Sequence, residues 1–398
     1  MRAPVLLTVL VTATSQAADW PVWRGPSGNG ISAEVILTKW PANGPKKLWE
    51  AKVGIGFSGV SVSGKHVITI GHEDGKDIVT TLDASSGKVL WTHAYEAELG
   101  DKYFEGGPTS TPTIHEGHVY VLGREGQLMA LKLSDGKPVW STNVAETTGA
   151  RIPDWGFSGS PIVSGKLLIL NVGSHGTAVN RSTGKIVWKS AEEPSAGYTT
   201  PLKLANGTYT FSNADAYFAL NGETGKLVWE HEWPTRYGVN AADPIPLSTT
   251  QLFVASGYNK GATVIDISGA EPKAVWQNRN MRNQMNPSLL IDGHLYGIDG
   301  DESSKPALRC IDASNGKTKW SEPSIGAGTL IAADGGKYLL ILSDKGELHL
   351  LTPSPDSFTS QASAQVLSGR CWTAPTLANG QLYLRNAEGT LIALSVKP

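Results

Sequence analysis

Residues 110–140 read STPTIHEGHVYVLGREGQLMALKLSDGKPVW, and this stretch contains one complete copy of a unit that recurs along the chain. Three short apolar segments, PTI, HVYVL and QLMALKL, are each followed by a turn that contains glycine, and a fourth segment begins with PVW. Segments of about six residues rich in Val, Leu and Tyr are typical of half-buried strands joined by tight turns. One copy therefore predicts a four-stranded antiparallel meander.

The end of the unit, a turn followed by a tryptophan, marks the repeat most clearly. It reads ALKLSDGKPVW at 130–140 and ALNGETGKLVW at 219–229. The copies end at Trp49, Trp91, Trp140, Trp188, Trp229, Trp276 and Trp320. The spacings are 42, 49, 48, 41, 47 and 44 residues, a period typical of propellers and solenoids. Because a buried tryptophan covers about 150–250 Å² of surface, we expect these residues to dock neighbouring units together.

The number of units decides between an open array and a closed ring. After Trp320 a seventh unit extends to about Leu367, which we place where the tryptophan of that unit would stand. Residues 373–398 supply three strands, whereas KKLWEAKVG at 46–54 is a fourth strand with no three before it. Pairing the two ends completes an eighth unit and removes exposed sheet edges. The sequence thus predicts an all-β fold, an eight-bladed β-propeller of four-stranded antiparallel blades, closed by an N-terminal strand that completes the C-terminal blade.

Composition agrees with a turn-rich β protein and argues against one class of partner. The 398 residues include 45 glycines, and 40% are hydrophobic. Lys and Arg number 34 against 36 Asp and Glu, which gives a net charge of −2 without a basic run that would follow a phosphate backbone. We therefore expect no nucleic-acid partner. Cys310 and Cys371 fall a full unit apart, so we expect them to be unpaired, buried thiols.

The first 17 residues have the features of a secretory signal peptide. MRAPVLLTVLVTATSQA carries Arg2, a short apolar core and small residues at Ser15 and Ala17, so we expect cleavage near Ala17, after that residue or after Ala18. The apolar part is too short for a transmembrane segment, and no cysteine stands at the cleavage site for a lipid anchor. We expect a periplasmic or secreted monomer.

The mature chain divides into two parts. Residues 18–47 are an irregular leader rich in Pro, Gly and Trp, and residues 48–398 form a single propeller domain. The aromatic residues of the leader cannot form a core alone. Two interpretations are open: the leader packs across the first and last units, or Trp20, Trp23 and Arg24 form a docking patch for a partner.

The connections from the outer strand of one unit to the inner strand of the next vary most in length. The separations between the tryptophan and the next proline of an inner strand run from 11 to 21 residues. In a propeller these connections open on one face beside the central channel, so we expect function there. The candidate ligand-binding residues are Trp155, Arg236, Tyr237, Asn240, Asp243, Arg279, Arg282, Asn283, Asn286, Arg370 and Trp372. Such side chains suit a flat or anionic ligand; the alternative is that the arginines and asparagines tie down loop carbonyls around a water-filled channel.

The ending at 219–229, and its copy TLDASSGKVLW at 81–91, resemble the tryptophan-docking motif of the PQQ-binding-like β-propeller repeat family. Members of that family include quinoprotein dehydrogenases and the outer-membrane β-barrel assembly factor, both similar to eight-bladed propellers. The resemblance covers essentially the whole mature chain. It implies how the blades dock and says little about chemistry.

The resemblance implies two functions of different classes. Enzymes of the family resemble one another in stacking the quinone PQQ between a channel tryptophan and a disulfide of adjacent cysteines, beside Ca²⁺ held by oxygen ligands. In this sequence no two cysteines are adjacent, Trp155 or Trp372 is the candidate plate, and Asn240 with Asp243 is a fragment of an ion site. No catalytic residue and no metal site are assigned.

We therefore expect an exported, non-catalytic binding or scaffold protein that engages a protein partner or small ligand through its loop face and central channel. The alternative is a quinoprotein dehydrogenase that needs PQQ and calcium and oxidises an alcohol or sugar. A third interpretation is a propeller that binds carbohydrate.

Overall fold

Eight four-stranded antiparallel sheets build the fold, which confirms the eight-bladed β-propeller predicted from the sequence. The computed structural model describes residues 18–301 and 304–398, so the predicted signal peptide at 1–17 lies outside the described residues. Within each of blades 1 to 7 the four strands are neighbours in chain order, and the first strand lies at the channel.

Strand β1 (Lys47–Lys52) precedes the first blade. Blade 1 consists of β2 (Ser61–Ser63), β3 (His66–Glu73), β4 (Lys76–Asp83) and β5 (Val89–Glu96), and blade 2 consists of β6 (Thr113–His115), β7 (His118–Leu122), β8 (Gln127–Lys132) and β9 (Pro138–Asn143). Blade 3 consists of β10 (Ile162–Ser164), β11 (Leu167–Leu170), β12 (Thr177–Asn180) and β13 (Ile186–Lys189), and blade 4 consists of β14 (Leu202–Lys203), β15 (Thr208–Ser212), β16 (Ala216–Asn221) and β17 (Leu227–Glu232). Blade 5 consists of β18 (Ile245–Pro246), β19 (Gln251–Ser256), β20 (Gly261–Asp266) and β21 (Lys273–Asn278), and blade 6 consists of β22 (Leu289–Ile291), β23 (His294–Asp299), β24 (Ala307–Asp312) and β25 (Thr318–Glu322). Blade 7 consists of β26 (Thr329–Ala333), β27 (Tyr338–Leu342), β28 (Glu347–Leu351) and β29 (Ser360–Gln365), and blade 8 consists of β30 (Thr376–Ala378), β31 (Gln381–Arg385), β32 (Thr390–Ser395) and β1. A short helix, α1 (Val144–Thr148), and two 3₁₀ turns (Pro323–Ile325 and Asp334–Gly336) interrupt the connections.

The ring closes through its two ends, as the sequence predicts. Strand β1 pairs antiparallel with β32, with Lys47 opposite Leu394 and Lys52 opposite Thr390. The last blade therefore has the order β1, β32, β31, β30. Its outer strand comes from the opposite end of the chain, and this arrangement joins the first and last blades.

Burial follows the position of each strand in its blade. The five residues from Ala216 to Leu220 of β16, a middle strand, are buried because neighbouring blades cover both sides of the sheet. In the outer strand β17 only Trp229 is buried. The core is thus a stack of apolar layers between blades, and the tryptophan brings the outer strand into it.

Six of the seven docking tryptophans donate a hydrogen bond to the turn that precedes the outer strand of the next blade. The indole Nε1 of Trp91 donates to the carbonyl of Leu133 at 2.9 Å. Gly136 of the same turn lies against the Trp91 ring with φ +70°, and a Cβ there would come within 2.4 Å of a ring carbon, so only glycine fits. The equivalent bonds run from Trp49 to Ala84, Trp140 to Arg181, Trp188 to Gly222, Trp276 to Ala313 and Trp320 to Ser354, at 2.8–3.1 Å.

Trp229 departs from this pattern. Its ring is buried with Leu252 and Ile265, but its Nε1 has no hydrogen-bond partner among residues 18–301 and 304–398. The turn before the outer strand of the next blade, within VIDISGAEPKAVW at 264–276, lacks the Gly-Lys pair. Trp229 thus keeps the apolar contact without the indole hydrogen bond.

The difference between these two joints is measurable. Replacing Trp91 with Phe should cost about 1 kcal/mol more than replacing Trp229 with Phe, because only the first change leaves a carbonyl without its donor. Denaturant unfolding of the two variants compares them directly, since both lose the same ring volume. Equal losses would show that the Trp91 hydrogen bond contributes nothing measurable.

In the seventh blade the structure differs from the sequence prediction that Leu367 occupies the tryptophan position. In the other blades the docking tryptophan comes directly after a register shift in the outer strand, as where Thr318 pairs with Ile311 and Trp320 pairs with Cys310. In blade 7 the equivalent position pairs Leu350 with Ala362, so Ala362 and not Leu367 occupies the tryptophan position. The leader packs there instead: Gly44 lies against Ala364, and a Cβ on Gly44 would come within 2.8 Å of it.

The leader enters the propeller rather than lying across its surface. Trp20 pairs through its backbone with Val62 of β2, and Ile31 forms a bridge with Ala332 of β26. Between these points the Arg24 side chain reaches the Ser288 carbonyl of blade 6 at 3.1 Å. Trp20 and Arg24 are buried, so the interpretation of an exposed docking patch is wrong for them.

Candidate functional site

The connections between strands lie on two opposite faces of the propeller, because consecutive strands of each blade run in opposite directions. We call the face that carries the connections between blades the loop face, and the opposite one the turn face. In an antiparallel meander, the turn between the second and third strands of a blade lies on the same face as the connection to the next blade. The loop face therefore includes Arg124, His175, Tyr258 and Lys260, which lie in or beside such turns and which the sequence analysis missed. Successive turns of each repeat alternate between the two faces, so the order of the turns in the sequence predicts that these four residues lie on the loop face.

The leader fills the channel that opens at the centre of these faces. At the turn face, Asp19 accepts the Gly64 amide, and Glu34 accepts the Gly380 amide. Deeper in, the Trp23 Nε1 donates to Asp243 Oδ2 at 2.6 Å. The segment between Asp19 and Glu34 thus descends into the channel, turns and returns to the face it came from.

Little space remains beside it. The cavity between the leader and the inner strands has a volume of about 20 Å³, and Trp20, Trp23 and Arg24 form part of its wall. That volume holds about one water molecule, whereas small-molecule pockets measure about 300–1,000 Å³. The cavity beside the leader therefore has no room for a quinone. Across the described ranges, no three His, Cys, Asp or Glu side chains are grouped to hold a metal ion.

Four of the predicted ligand-binding residues are engaged inside the protein. Asn240 donates to the carbonyls of Asn213 and Trp233, both at 3.1 Å. Asp243 accepts the Thr200 amide at 2.8 Å as well as the Trp23 indole.

Burial raises the pKa of the Asp243 carboxyl, and the charge of Arg24 opposes that shift.

The two other engaged candidates are asparagines: Asn283 donates to the Ile298 carbonyl at 2.9 Å, and Asn286 donates to the Trp372 carbonyl at 3.1 Å. These contacts correspond to the alternative in which polar side chains tie down loops.

Arg282 is also held by a partner. Its Nε donates to Asp299 Oδ1 at 3.0 Å, and its Nη2 donates to Oδ2 at 2.7 Å. Arg309 contacts the same Oδ2 at 3.0 Å, so two guanidinium groups share one buried carboxylate. Hydrogen bonding to Asp299 raises the pKa of Arg282. The pair fixes the connection between blades 5 and 6.

Aromatic side chains surround the channel on the loop face. Trp155 lies between Tyr103 and Tyr198, with ring centroids 5.5 and 5.9 Å away. Trp372 stacks on Phe57 at 5.5 Å.

Phe104 meets Phe57 edge to face, with the ring centroids 5.5 Å apart. The Arg370 guanidinium lies 4.1 Å above the Trp372 ring, and its Nε donates to Glu105 Oε1 at 2.9 Å. Trp155 and Trp372, the two alternative candidates for the plate, thus belong to different aromatic clusters.

The remaining candidates come together in a groove of the loop face between blades 4 and 5. We call it the basic groove and define it by Arg236, Lys260 and Arg279. It has a volume of about 460 Å³. The other residues along it are Pro234, Thr235, Tyr258, Asn259, Gln277 and Asn278. Sequence reasoning identified both arginines and, in Tyr237, a neighbouring ring, but not the lysine.

The cations of the basic groove lack carboxylate partners. The Lys260 Nζ lies 4.4 Å from the centre of the Trp233 ring, and Arg236 lies 5.1 Å from that of Tyr237. In the part of the chain that the structure describes, no Asp or Glu forms an ion pair with Arg236, Lys260 or Arg279. Burial lowers the pKa of Lys260. A groove with three unpaired cations is chemically suited to carboxylates or other anions.

The fold and the groove define an eight-bladed β-propeller that holds the leader in its channel and carries a cationic groove on one face. The chain belongs to the outer membrane protein assembly factor BamB family, whose sequence profile matches residues 75–322 and 304–397. This assignment confirms the resemblance to PQQ-like propellers that the sequence shows.

Individual relatives agree with it. The outer membrane protein assembly factor BamB of Yersinia pestis is 24% identical over 380 residues, covering 88% of this chain and 89% of the relative. The structure of BamB from Moraxella catarrhalis matches with a TM-score of 0.63 and 17% identity, covering 88% of this chain and 98% of that chain. The structure of quinohemoprotein alcohol dehydrogenase from Comamonas testosteroni matches with a TM-score of 0.71 and 15% identity, covering 97% of this chain and 81% of that chain. At these identities the structural likeness shows the fold alone.

The family assignment favours the binding or scaffold function over the dehydrogenase alternative. Within residues 18–301 and 304–398, no helix has the length and apolar character needed to cross a membrane.

Proposed function

We propose that this protein is an exported scaffold that binds a partner protein of outer-membrane protein assembly through its loop face. The family assignment and the curated relatives support this class of function. The observation in this chain that supports the proposal most is the difference between two spaces. The cavity beside the leader in the channel has a volume of about 20 Å³, whereas the open groove on the loop face has a volume of about 460 Å³. Binding therefore takes place on the surface of the loop face.

The charge of the basic groove indicates the chemistry of the partner. Guanidinium groups form paired hydrogen bonds with carboxylates, and complementary charge raises both specificity and association rate. Tyr237, which is 51% exposed, and the ring of Tyr258 lie 4.9 Å apart beside the cations. We infer that the groove receives an acidic segment of the partner, with the tyrosines packing against its apolar parts.

Site-specific photocrosslinking in the producing cells tests the docking face. A photoreactive phenylalanine at Tyr237 should crosslink to a component of outer-membrane protein assembly, identified by mass spectrometry. Val187 on the outer strand β13 is the matched control, because it is also 51% exposed but lies away from the loop face. Equal crosslinking from both positions, or crosslinking from Val187 alone, would contradict the proposal.

Removing the three charges tests the groove itself. The triple change Arg236→Gln, Lys260→Gln and Arg279→Gln should weaken binding of the crosslinked partner by about tenfold or more at low salt, because three charge-assisted contacts are lost. The control removes three exposed lysines of the turn face by Lys65→Gln, Lys166→Gln and Lys185→Gln, which changes the net charge equally. Similar losses in both triple variants would show that overall charge, and not the groove, governs binding.

The dehydrogenase alternative has its own test. Purified protein incubated with PQQ and Ca²⁺ should show no bound-quinone absorbance and no dye reduction with alcohols or sugars, because the channel is filled by the leader. A quinone spectrum that persists after gel filtration, together with turnover, would restore the alternative.

A further inference from the structure

The carboxylate of Glu34 occupies an unusual position in the leader. It is 2% exposed, and its Oε1 accepts the Ala18 amide at 3.0 Å and the Asn379 amide at 2.7 Å. Its Oε2 accepts the Gly380 amide at 2.6 Å. Within the described ranges no Lys, Arg or His forms an ion pair with Glu34. Three amide donors satisfy its oxygens, and a charge of opposite sign in the same site would stabilise the buried carboxylate further.

The atom that contacts Glu34 lies at the predicted processing point. Ser15 and Ala17 are the small residues at which a signal peptide would be cleaved, and Ala18 is the next residue. Hydrolysis of the Ala17–Ala18 peptide bond by an export-associated peptidase consumes one water, leaves a carboxylate on Ala17 and gives Ala18 a free amino group. At neutral pH most of that group is protonated, since the pKa of an α-amino group is about 7.7–8.0.

We propose that the Ala17–Ala18 bond is the processing site and that the new α-ammonium group of Ala18 binds Glu34. Cleavage then turns an amide hydrogen bond into a charge-assisted ion pair at the same 3.0 Å position. Because Glu34 also accepts two amides of blade 8, the pair anchors the leader to the turn face and keeps it in the channel. Export and completion of the fold are thereby coupled through one buried carboxylate.

The surroundings set the pH dependence. Glu34 contacts the Ala18 nitrogen, and Asp19 is the next residue of the chain, with its carboxylate bound to Ser63, Gly64 and Asn379. Tyr383 interacts electrostatically with Glu34, and Lys397 packs against Gly380. Burial raises the pKa of Tyr383, so the phenol stays neutral across the relevant range. Pairing with Glu34 raises the pKa of the ammonium in the folded chain above its unfolded value. The stabilisation is therefore complete below about pH 7.7 and is lost as the pH rises through the folded-state pKa.

The first measurement is the mass and N-terminal sequence of the exported protein. The proposal requires a chain that begins Ala-Asp-Trp at Ala18. A mature chain that begins at Asp19 or at any other residue would overturn it.

The second measurement compares the mature chain with one that carries Gly-Ser ahead of Ala18, which moves the ammonium away from Glu34. The mature chain should melt roughly 2–4 °C higher at pH 6.5, and the difference should vanish near pH 10. Glu34→Gln should lower the Tm of the mature chain and abolish its advantage over the extended chain. Glu223→Gln, at an exposed turn, is the matched control and should leave that advantage intact.

An advantage that is independent of pH, or that survives Glu34→Gln, would overturn the pairing. The pH comparison uses only chains with the native Glu34, so it decides the question even if the Glu34→Gln variant folds poorly.

Discussion

Replacing Arg385 with methionine should lower the free energy of unfolding by about 3–5 kcal/mol. Arg385 ends strand β31 of the last blade and is fully buried. Its Nη1 donates to the carbonyls of Ser58 at 3.1 Å and Ile70 at 2.8 Å and to Thr69 Oγ1 at 2.7 Å, while its Nη2 donates to the Gly54 carbonyl at 3.0 Å. All four acceptors lie in or beside blade 1, so this one side chain joins the blades at which the ring closes.

The cost of the change follows from what methionine leaves behind. Methionine fills a similar volume but donates no hydrogen bond, so three carbonyls lose a donor in a buried site, at about 1–3 kcal/mol for each group that stays unsatisfied. Lysine keeps the charge but cannot present the planar fork that reaches several acceptors, so Arg385→Lys should restore only part of the stability.

Denaturant unfolding followed by tryptophan fluorescence measures both Arg385 variants. The matched control is Arg151→Met, because Arg151 is exposed and forms an ion pair with the exposed Glu193. That change should stay within about 0.5 kcal/mol of the parent protein. A loss below about 1 kcal/mol for Arg385→Met would show that the strand pairing of β1 with β32 closes the ring without help from the guanidinium group.

The ring itself was predictable because its signals are local. The turn and the tryptophan recur within eleven residues in five of the seven copies, and the unmatched strand at Trp49 requires a partner at the other end of the chain. The tryptophan position of blade 7 was misplaced because no large side chain marks it. Only the register shift between Ser360 and Ala362 identifies that position, and such a shift is a property of strand pairing rather than of composition.

The candidate site was predictable only in part because its contacts are long-range. Sequence reasoning placed Arg236 and Arg279 on one face, and both line the basic groove. It did not place the leader in the channel, since the bond from Trp23 to Asp243 joins residues 220 positions apart. For the same reason Asp243 looked available for a ligand, whereas its two acceptor oxygens bind the leader and the Thr200 amide.

Replacing Trp20 with alanine should remove about 3–5 kcal/mol from the free energy of unfolding and open the channel. The indole is 3% exposed, and the residue exchanges two backbone hydrogen bonds with Val62, at 3.0 and 2.9 Å. Gly25 turns the leader back across the ring face with φ +78°, where a Cβ would lie 3.0 Å from two ring carbons. Deleting the ring therefore removes the surface on which the leader makes its turn.

Two readouts separate a local opening of the leader from global unfolding. Limited proteolysis should cut the leader of Trp20→Ala well before the blades, and an apolar dye should bind the emptied channel, since cavities lined by apolar groups accept such ligands. Val35→Ala, at a leader side chain that is 39% exposed, is the control and should behave like the parent protein. If Trp20→Ala keeps its leader protected and its full stability, the leader is held by its ends at Asp19 and Glu34 alone, and the indole is not what fills the channel.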